Sequence, residues 1–496
     1  MAYTFYEPLS MIDAAFLAVE DHKAHMHIGG VTIFDAKPVC RPEGGLDIER
    51  IRAFVGTQLH KVPRFRQKLA FVPIFGRPLW VDDATFNLTY HVRHTALPFP
   101  GDTRKLKDLA GRILSQELDR GKPLWELWFV EGLEQDRFAI ISKIHHALAD
   151  GISGVDLVSA IVGPDPDYRP KRAPAWLPRR APSGPELLSS QLVHTLTAPL
   201  QVLPFGRASV RPTLPSVSPR GLRDSAARVF AALTAAIEAP DPTPLNVEIS
   251  PYRRFDWTRL EFATAKAIQS RFGGKMNDVV LSIVSGAVRK FLIHRGLKVR
   301  GLDFKAMVPM SVRTADERGE MGNRVTQMLT RLPLDEADPV KRLGRVIEIT
   351  TELKGSGQAE GGQAMTAFVE LLSTPIAAML ARMAARHSGN MVVTNVPGPP
   401  KPTYLLGAKT LETYPVVPLA PTQALNVAVL SYNEVLHWGF NADWDAVPDL
   451  ADFVTLVDEE ITALHAAAEP EAIRVAATQR QRTRGGAAAP GARRGH

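Results

Sequence analysis

Two adjacent histidines, His145 and His146, followed at short range by Asp150 and Gly151, supply the residue types that general acid-base chemistry needs. An imidazole is neutral near pH 7 and accepts a proton readily, an effect worth about 100- to 10,000-fold in rate when the ring faces a reacting hydroxyl. A single histidine on an apolar strand is ordinarily a hydrogen-bonded core residue, so the inference rests on the whole string. Metal chemistry fits it poorly. The spacing is not the two-histidine helical pattern of zinc proteases, and the only cysteine, Cys40, offers no thiolate pair; no metal is expected.

The flanking elements decide which ring is available. Residues 138–144 have strand character, and residues 152–162 carry apolar side chains at helical spacing, so the histidines sit at a strand-to-helix junction. Successive side chains on a strand point to opposite faces, which keeps His145 and His146 out of one shared cavity. One ring is then a candidate for chemistry and the other for packing. Asp150 is near enough across a tight turn to fix the backbone or orient an imidazole, and Gly151 permits a close backbone approach.

The full string resembles the HHxxxDG signature of the CoA-dependent acyltransferase superfamily, and further segments narrow the likeness. Pro8-Leu9-Ser10-Met11-Ile12-Asp13-Ala14-Ala15-Phe16, Pro123-Leu124-Trp125, Asn277-Asp278-Val279-Val280-Leu281, Pro309-Met310-Ser311-Val312-Arg313, Gly322-Asn323 and Asn395-Val396-Pro397-Gly398-Pro399 resemble, in order, segments of the bacterial wax ester synthase/diacylglycerol acyltransferase family. The likeness runs from about Pro8 to about Glu460. Thr394 stands where Ser is expected, and Met310 where Val is common.

What the resemblance implies is specific. The fold would be α/β, with two chloramphenicol acetyltransferase-like sandwich domains and a channel between them, acyl-CoA entering from one side and the acceptor alcohol from the other. His146 matches the catalytic base, His145 a supporting ring, and Asp150 a carboxylate that holds the loop and the imidazole. Asn277 is the candidate donor to the developing oxyanion, a hydrogen bond worth about 3 to 4 kcal/mol in a transition state. Helix capping alone would also explain Asn277 and Asp278. Acyl-CoA enters as substrate, and no cofactor is expected.

Composition agrees with a large globular enzyme. At 496 residues and 45% hydrophobic content the chain exceeds a single ordinary core. We expect an N-terminal acyltransferase domain over 1–163, a Pro- and Arg-rich crossover over 164–251, a C-terminal acyltransferase-like domain over 252–473 and a disordered basic tail over 474–496. The net charge of +7 invites a nucleic-acid reading, but six arginines after Glu471 supply most of it and leave the body at +1. A nucleic-acid partner is therefore not expected, whereas weak attraction to an anionic membrane surface is.

The first residues lack a basic start and an apolar core, and one cysteine cannot form an intrachain disulfide, which favours the cytoplasm. The nearest approach to a spanning helix, residues 365–383, contains Glu370, Pro375 and Arg382, so it would lie on a membrane or lipid droplet rather than cross it. Elsewhere the pattern predicts a helix within 46–62. Strands are predicted near 69–72, over 253–262, 305–312, 391–396, 424–432 and 434–442, and helices over 263–272 and 277–293, the last capped by Asn277. Residues 394–399 read as a stiff turn.

The expectation is an acyl-CoA dependent O-acyltransferase that esterifies diacylglycerol to triacylglycerol or a long-chain fatty alcohol to wax ester. Two other readings remain open: a condensation-domain-like or polyketide-associated acyltransferase using carrier-bound acyl groups, and a non-catalytic lipid-droplet binding protein.

Overall fold

In the computed structural model the described residues are 5–74, 76–149, 158–170, 173–189, 240–311, 325–355, 374–386 and 389–469. The expected helix over 152–162 therefore falls largely outside them, as do Asp150, Gly322-Asn323 and the tail.

The strand that ends at the histidines is the centre of the first half. Strand β7 (Arg137–His145) lies between β2 (His27–Asp35) and β6 (Trp125–Leu133) in a six-stranded sheet of order β12-β13-β2-β7-β6-β5, with β5 Val92–Ala96, β12 Tyr404–Leu405 and β13 Ala408–Val416. Both faces of β7 are covered, which explains its nearly unbroken apolar run. Phe138, Ile140 and Ile144 pack with Ile51, Phe54 and Val55 of helix α2 (Ile48–Gln58). Ala139 and Ile141 pack with Leu106, Leu109 and Ala110 of a helix over Thr103–Leu114. Two further helices precede β7 or frame it, α1 (Met11–Val19) and α3 (Leu88–His91), so the Thr103–Leu114 helix is α4 and the short helix after β7, His146–Ala149, is α5.

A smaller sheet, β1 (Glu7–Pro8), β4 (Pro78–Asp82) and β3 (Gln67–Phe71) in the order β1-β4-β3, joins the strand just before α1 to a hairpin that follows α2 in the chain.

The second half builds a six-stranded sheet of order β10-β9-β11-β14-β15-β8, from β8 Arg253–Glu261, β9 Lys305–Ser311, β10 Val325–Arg331, β11 Met391–Pro397, β14 Leu425–Tyr432 and β15 Val435–Asp443. Its helices are α6 (Phe262–Phe272), α7 (Met276–His294), α8 (Pro339–Gly355), α9 (Thr374–Arg386) and α10 (Leu450–Ala468). The predicted stripe Val280, Ile283, Val284, Ala287 and Phe291 is buried, within a core that also takes Phe453 and Val457 of α10.

Three features add to the sequence reading or correct it. The 408–416 strand, expected inside a C-terminal domain over 252–473, pairs with β2 and so completes the first sheet. Helix α4 is held between the halves, packing against Phe255 and Trp257 of β8 and Tyr414 of β13; a Cβ at Gly111 would stand 2.7 Å from the Arg253 carbonyl oxygen, a contact only glycine allows. The strand expected over 391–396 is β11, and because 394–397 pair in parallel with β14, the turn expected over 394–399 can begin only after Pro397.

Candidate active site

Backbone pairing brings together residues far apart in sequence. His27 and His145 are direct cross-strand partners at the ends of β2 and β7, and their ring centroids lie 6.2 Å apart. The His145 N–H donates to the Leu124 carbonyl at 3.0 Å and the His146 N–H to the Met26 carbonyl at 2.8 Å. The Pro123-Leu124-Trp125 segment thus supports the histidine strand through its backbone. Trp125 itself is fully buried, its indole N–H donating to the Phe65 carbonyl at 2.8 Å.

The two histidines meet different neighbours. His145 shares the α4 face with Lys143. Its Nδ1 accepts the Ala147 N–H at 3.0 Å, which leaves the proton on Nε2, and Nε2 lies 3.3 Å from Glu20 Oε2. Glu20, directly after α1, places its other oxygen 3.5 Å from His27 Nε2 and accepts from Arg120 at 2.7 Å. Burial alone would raise the Glu20 carboxyl, but His145, His27 and Arg120 overturn that and hold it well below the usual carboxylate range. Beneath lies Lys143, wholly buried, donating to the Ile113 and Gln116 carbonyls at the end of α4 and facing Glu126 at 3.5 Å. Glu126 also accepts from Arg93 at 2.9 Å. A cleft of about 670 Å3 lined by Glu20, Arg93, Gln116, Arg120 and Glu126 opens onto this network from solvent.

His146 stands on the other side. The strand ends at His145, so His146 begins α5, and its ring stacks on Phe16 of α1 with centroids 3.7 Å apart and planes 21° apart. The residue keeps partial exposure while its Nδ1 is buried without a hydrogen-bond partner among the described residues. That leaves Nε2 as the candidate nitrogen to meet a ligand. Burial, reinforced by the neighbouring His145, pushes the His146 pKa down to about 4, so the ring is neutral at physiological pH.

Asn277 occupies a different position from the one expected. It is the second residue of α7 rather than its cap: the helix begins at Met276, and Asp278 caps it by accepting the Lys275 N–H at 2.7 Å. Asp278 also accepts from the Thr350 hydroxyl at 2.8 Å and is buried, whereas Asn277 is half-buried. Among the described residues no hydrogen bond joins Asn277 to either histidine. Nor does any group of three or more His, Cys, Asp or Glu among them have metal-holding geometry, despite the proximity of His25, His27, His145 and Glu20.

Sequence reasoning missed Glu20, His27 and Phe16. A carboxylate directly after an apolar helix and the His25-Met26-His27 alternation before β2 were visible, but their convergence on His145 depends on pairing across more than a hundred residues.

A mixed α/β molecule with two large sheets and a histidine pair at a strand-to-helix junction defines a class, the CoA-dependent acyltransferase fold. The computed structure superposes on the wax ester synthase/diacylglycerol acyltransferase from Marinobacter aquaeolei VT8 with a TM-score of 0.64 at 25% identity, covering 93% of this chain and 99% of that one. It shares the fold alone with a trichothecene 15-O-acetyltransferase from Fusarium sporotrichioides, at a TM-score of 0.57 and 11% identity over 92% of this chain and 95% of that one.

Residues 9–280 match the family model described as the wax ester synthase/diacylglycerol acyltransferase catalytic domain, and residues 321–465 match the WS/DGAT C-terminal domain. A probable diacylglycerol O-acyltransferase from Mycobacterium tuberculosis is 30% identical over 465 residues, 92% of this chain and 95% of that protein. The O-acyltransferase WSD of Acinetobacter baylyi is 30% identical over 467 residues, 92% and 96% of the two chains. The chain belongs to the wax ester synthase/diacylglycerol acyltransferase family and is an acyltransferase of lipid biosynthesis.

Proposed function

We propose that the protein transfers a long-chain acyl group from acyl-CoA to the hydroxyl of diacylglycerol, giving triacylglycerol, or to that of a long-chain fatty alcohol, giving wax ester. The single observation that carries this reading is the setting of His146: a partly exposed, neutral ring stacked on Phe16 and outside the His145–Glu20 contact, which leaves Nε2 as the proposed base.

In the proposed reaction the acceptor oxygen attacks the thioester carbonyl while His146 Nε2 takes the hydroxyl proton. The tetrahedral oxyanion then collapses, the carbon–sulfur bond breaks, and the imidazolium returns the proton to the departing CoA thiolate. Ester and free CoA leave, with no acyl-enzyme. His145, Glu20 and Arg120 act as a scaffold that fixes the strand end beneath the base. Asp150 would orient His146 through Nδ1, the buried atom, and Asn277 would donate to the oxyanion, with acyl-CoA as substrate and no further cofactor.

No helix among the described residues is long and apolar enough to cross a membrane. Since both acceptors reside in apolar phases, we place the enzyme peripherally at a membrane or lipid-droplet surface. The test is an acceptor panel: purified protein with radiolabelled palmitoyl-CoA and either diacylglycerol or hexadecanol. Labelled triacylglycerol or wax ester is the expected product; label appearing in neither, with CoA released only by hydrolysis, would remove the reading.

A further inference from the structure

We infer that the β3–β4 hairpin is an anchor whose tip enters an anionic phospholipid bilayer. This rests on the proposed lipid acceptors and adds the surface by which the enzyme reaches them.

Three observations converge at the tip. Ile74 is 92% exposed and Phe71 50% exposed, at the end of a hairpin whose base, Val72, Leu79 and Trp80, is buried. Ile74 also holds a positive φ of 67°, a conformation in which a β-branched side chain is a genuine outlier and where Asn or Gly would be unstrained. Among the described residues nothing covers Ile74. The turn is nonetheless fixed: the Gly76 N–H donates to the Val72 carbonyl at 2.9 Å and the Val72 N–H to the Arg77 carbonyl at 3.0 Å.

Charge selects the partner. From residue 50 to 81 the chain carries Arg50, Arg52, Lys61, Arg64, Arg66, Lys68 and Arg77 and no Asp or Glu. Arg52, Arg64 and Lys68 are matched by Glu49, Glu7 and Asp83 from outside the stretch, Lys61 is exposed over the Tyr168 ring, and Arg77 stands at the foot of the tip. An apolar tip with Arg77 at its foot, on a stretch of net positive charge, fits acyl chains beneath anionic headgroups.

Placement ties the anchor to the site. The Leu9 N–H bonds the Pro78 carbonyl at 3.2 Å, so the hairpin base lies beside the residue before Ser10, the cap of α1. That helix carries Phe16, which stacks on His146. A bilayer holding the tip therefore lies close to the element that frames the proposed base.

The experiment is co-sedimentation of full-length protein with mixed phosphatidylcholine/phosphatidylglycerol vesicles and with pure phosphatidylcholine vesicles, for wild type, Ile74→Asn and Phe71→Ser, alongside Tm, size-exclusion elution and acyl transfer to a water-soluble alcohol. Wild type is expected to bind the anionic vesicles more tightly, less so at high salt. Ile74→Asn should weaken binding about tenfold or more, with Tm unchanged or raised and soluble transfer intact. Binding unchanged in both variants overturns the proposal. So does a fall in Tm for Ile74→Asn, which would mean the tip packs on its own chain, or a shift of a dimer to monomer, which would make it a contact between copies. Wild type that binds through Ile74 yet transfers no acyl group leaves the anchor standing and sinks the acyltransfer reading instead.

Discussion

His145 Nε2 and Glu20 Oε2 lie 3.3 Å apart, and because His145 Nδ1 accepts the Ala147 N–H at 3.0 Å, Nε2 is the edge of the ring that faces the carboxylate. The pair links the end of α1 to the end of β7 and thereby sets where the chain turns toward His146. Glu20→Gln keeps the shape and removes the charge facing His145, His27 and Arg120. We expect kcat to fall about tenfold to a hundredfold with KM for acyl-CoA little changed, and Tm to fall, because Arg120 loses its counter-charge and the buried His145 and His27 rings lose the carboxylate they face. Equal kcat in the variant would show that the network does not position the site.

Phe16 is expected to hold the His146 ring by stacking. Phe16→Leu conserves most of the volume, so stability should change by less than about 1.5 kcal/mol. A loss in kcat of about tenfold, measured on protein with near wild-type Tm, separates orientation of the ring from packing; an unaltered kcat would assign Phe16 to packing alone.

Stability should decline on the acid side for a reason that can be signed group by group. His146, His91 and His437 sit at about 4 in the folded chain against 6.5 when unfolded, so between those values the unfolded chain binds more protons. Their contribution is complete above pH 6.5 and is lost as pH falls toward 4. The Glu20 carboxyl, held well below 4.5, extends the loss to lower pH. Tm measured from pH 7.5 down to pH 4.5 should fall steadily; a flat profile would contradict the burial of these rings. The acid limb of kcat/KM should likewise lie well below pH 6.5, where a solvated imidazole would place it.

Asn277 and Asp278 are neighbours with separable roles. Asp278→Ala removes the cap on Lys275 N–H and the partner of Thr350, and should cost about 1 to 3 kcal/mol in denaturant unfolding. Asn277→Ala should leave Tm in place while kcat falls about a hundredfold if its amide meets the oxyanion. Unchanged kcat would reassign the oxyanion donor.

The parts of this arrangement written locally were legible in the sequence. The run into His145 reads as a strand because both faces of β7 are buried, and the expected strand-to-helix junction falls between the two rings, with His145 ending β7 and His146 starting α5. What local pattern cannot carry is pairing at a distance. His27 meets His145 only through the β2–β7 register, and Ala408–Val416 joins a sheet built mostly by the first half. The cap of α7 was misassigned for a related reason. Asn277 and Asp278 are both good capping residues, and the choice fell to Asp278 because Thr350, on another helix, fixes its carboxylate.

The most direct test is the rate of CoA release coupled to ester formation in His146→Ala, measured beside wild type on protein of matched Tm. If the His146 imidazole is the base, the variant should lose about 100- to 10,000-fold in kcat with acyl-CoA binding retained. Ester formation within a fewfold of wild type would contradict it.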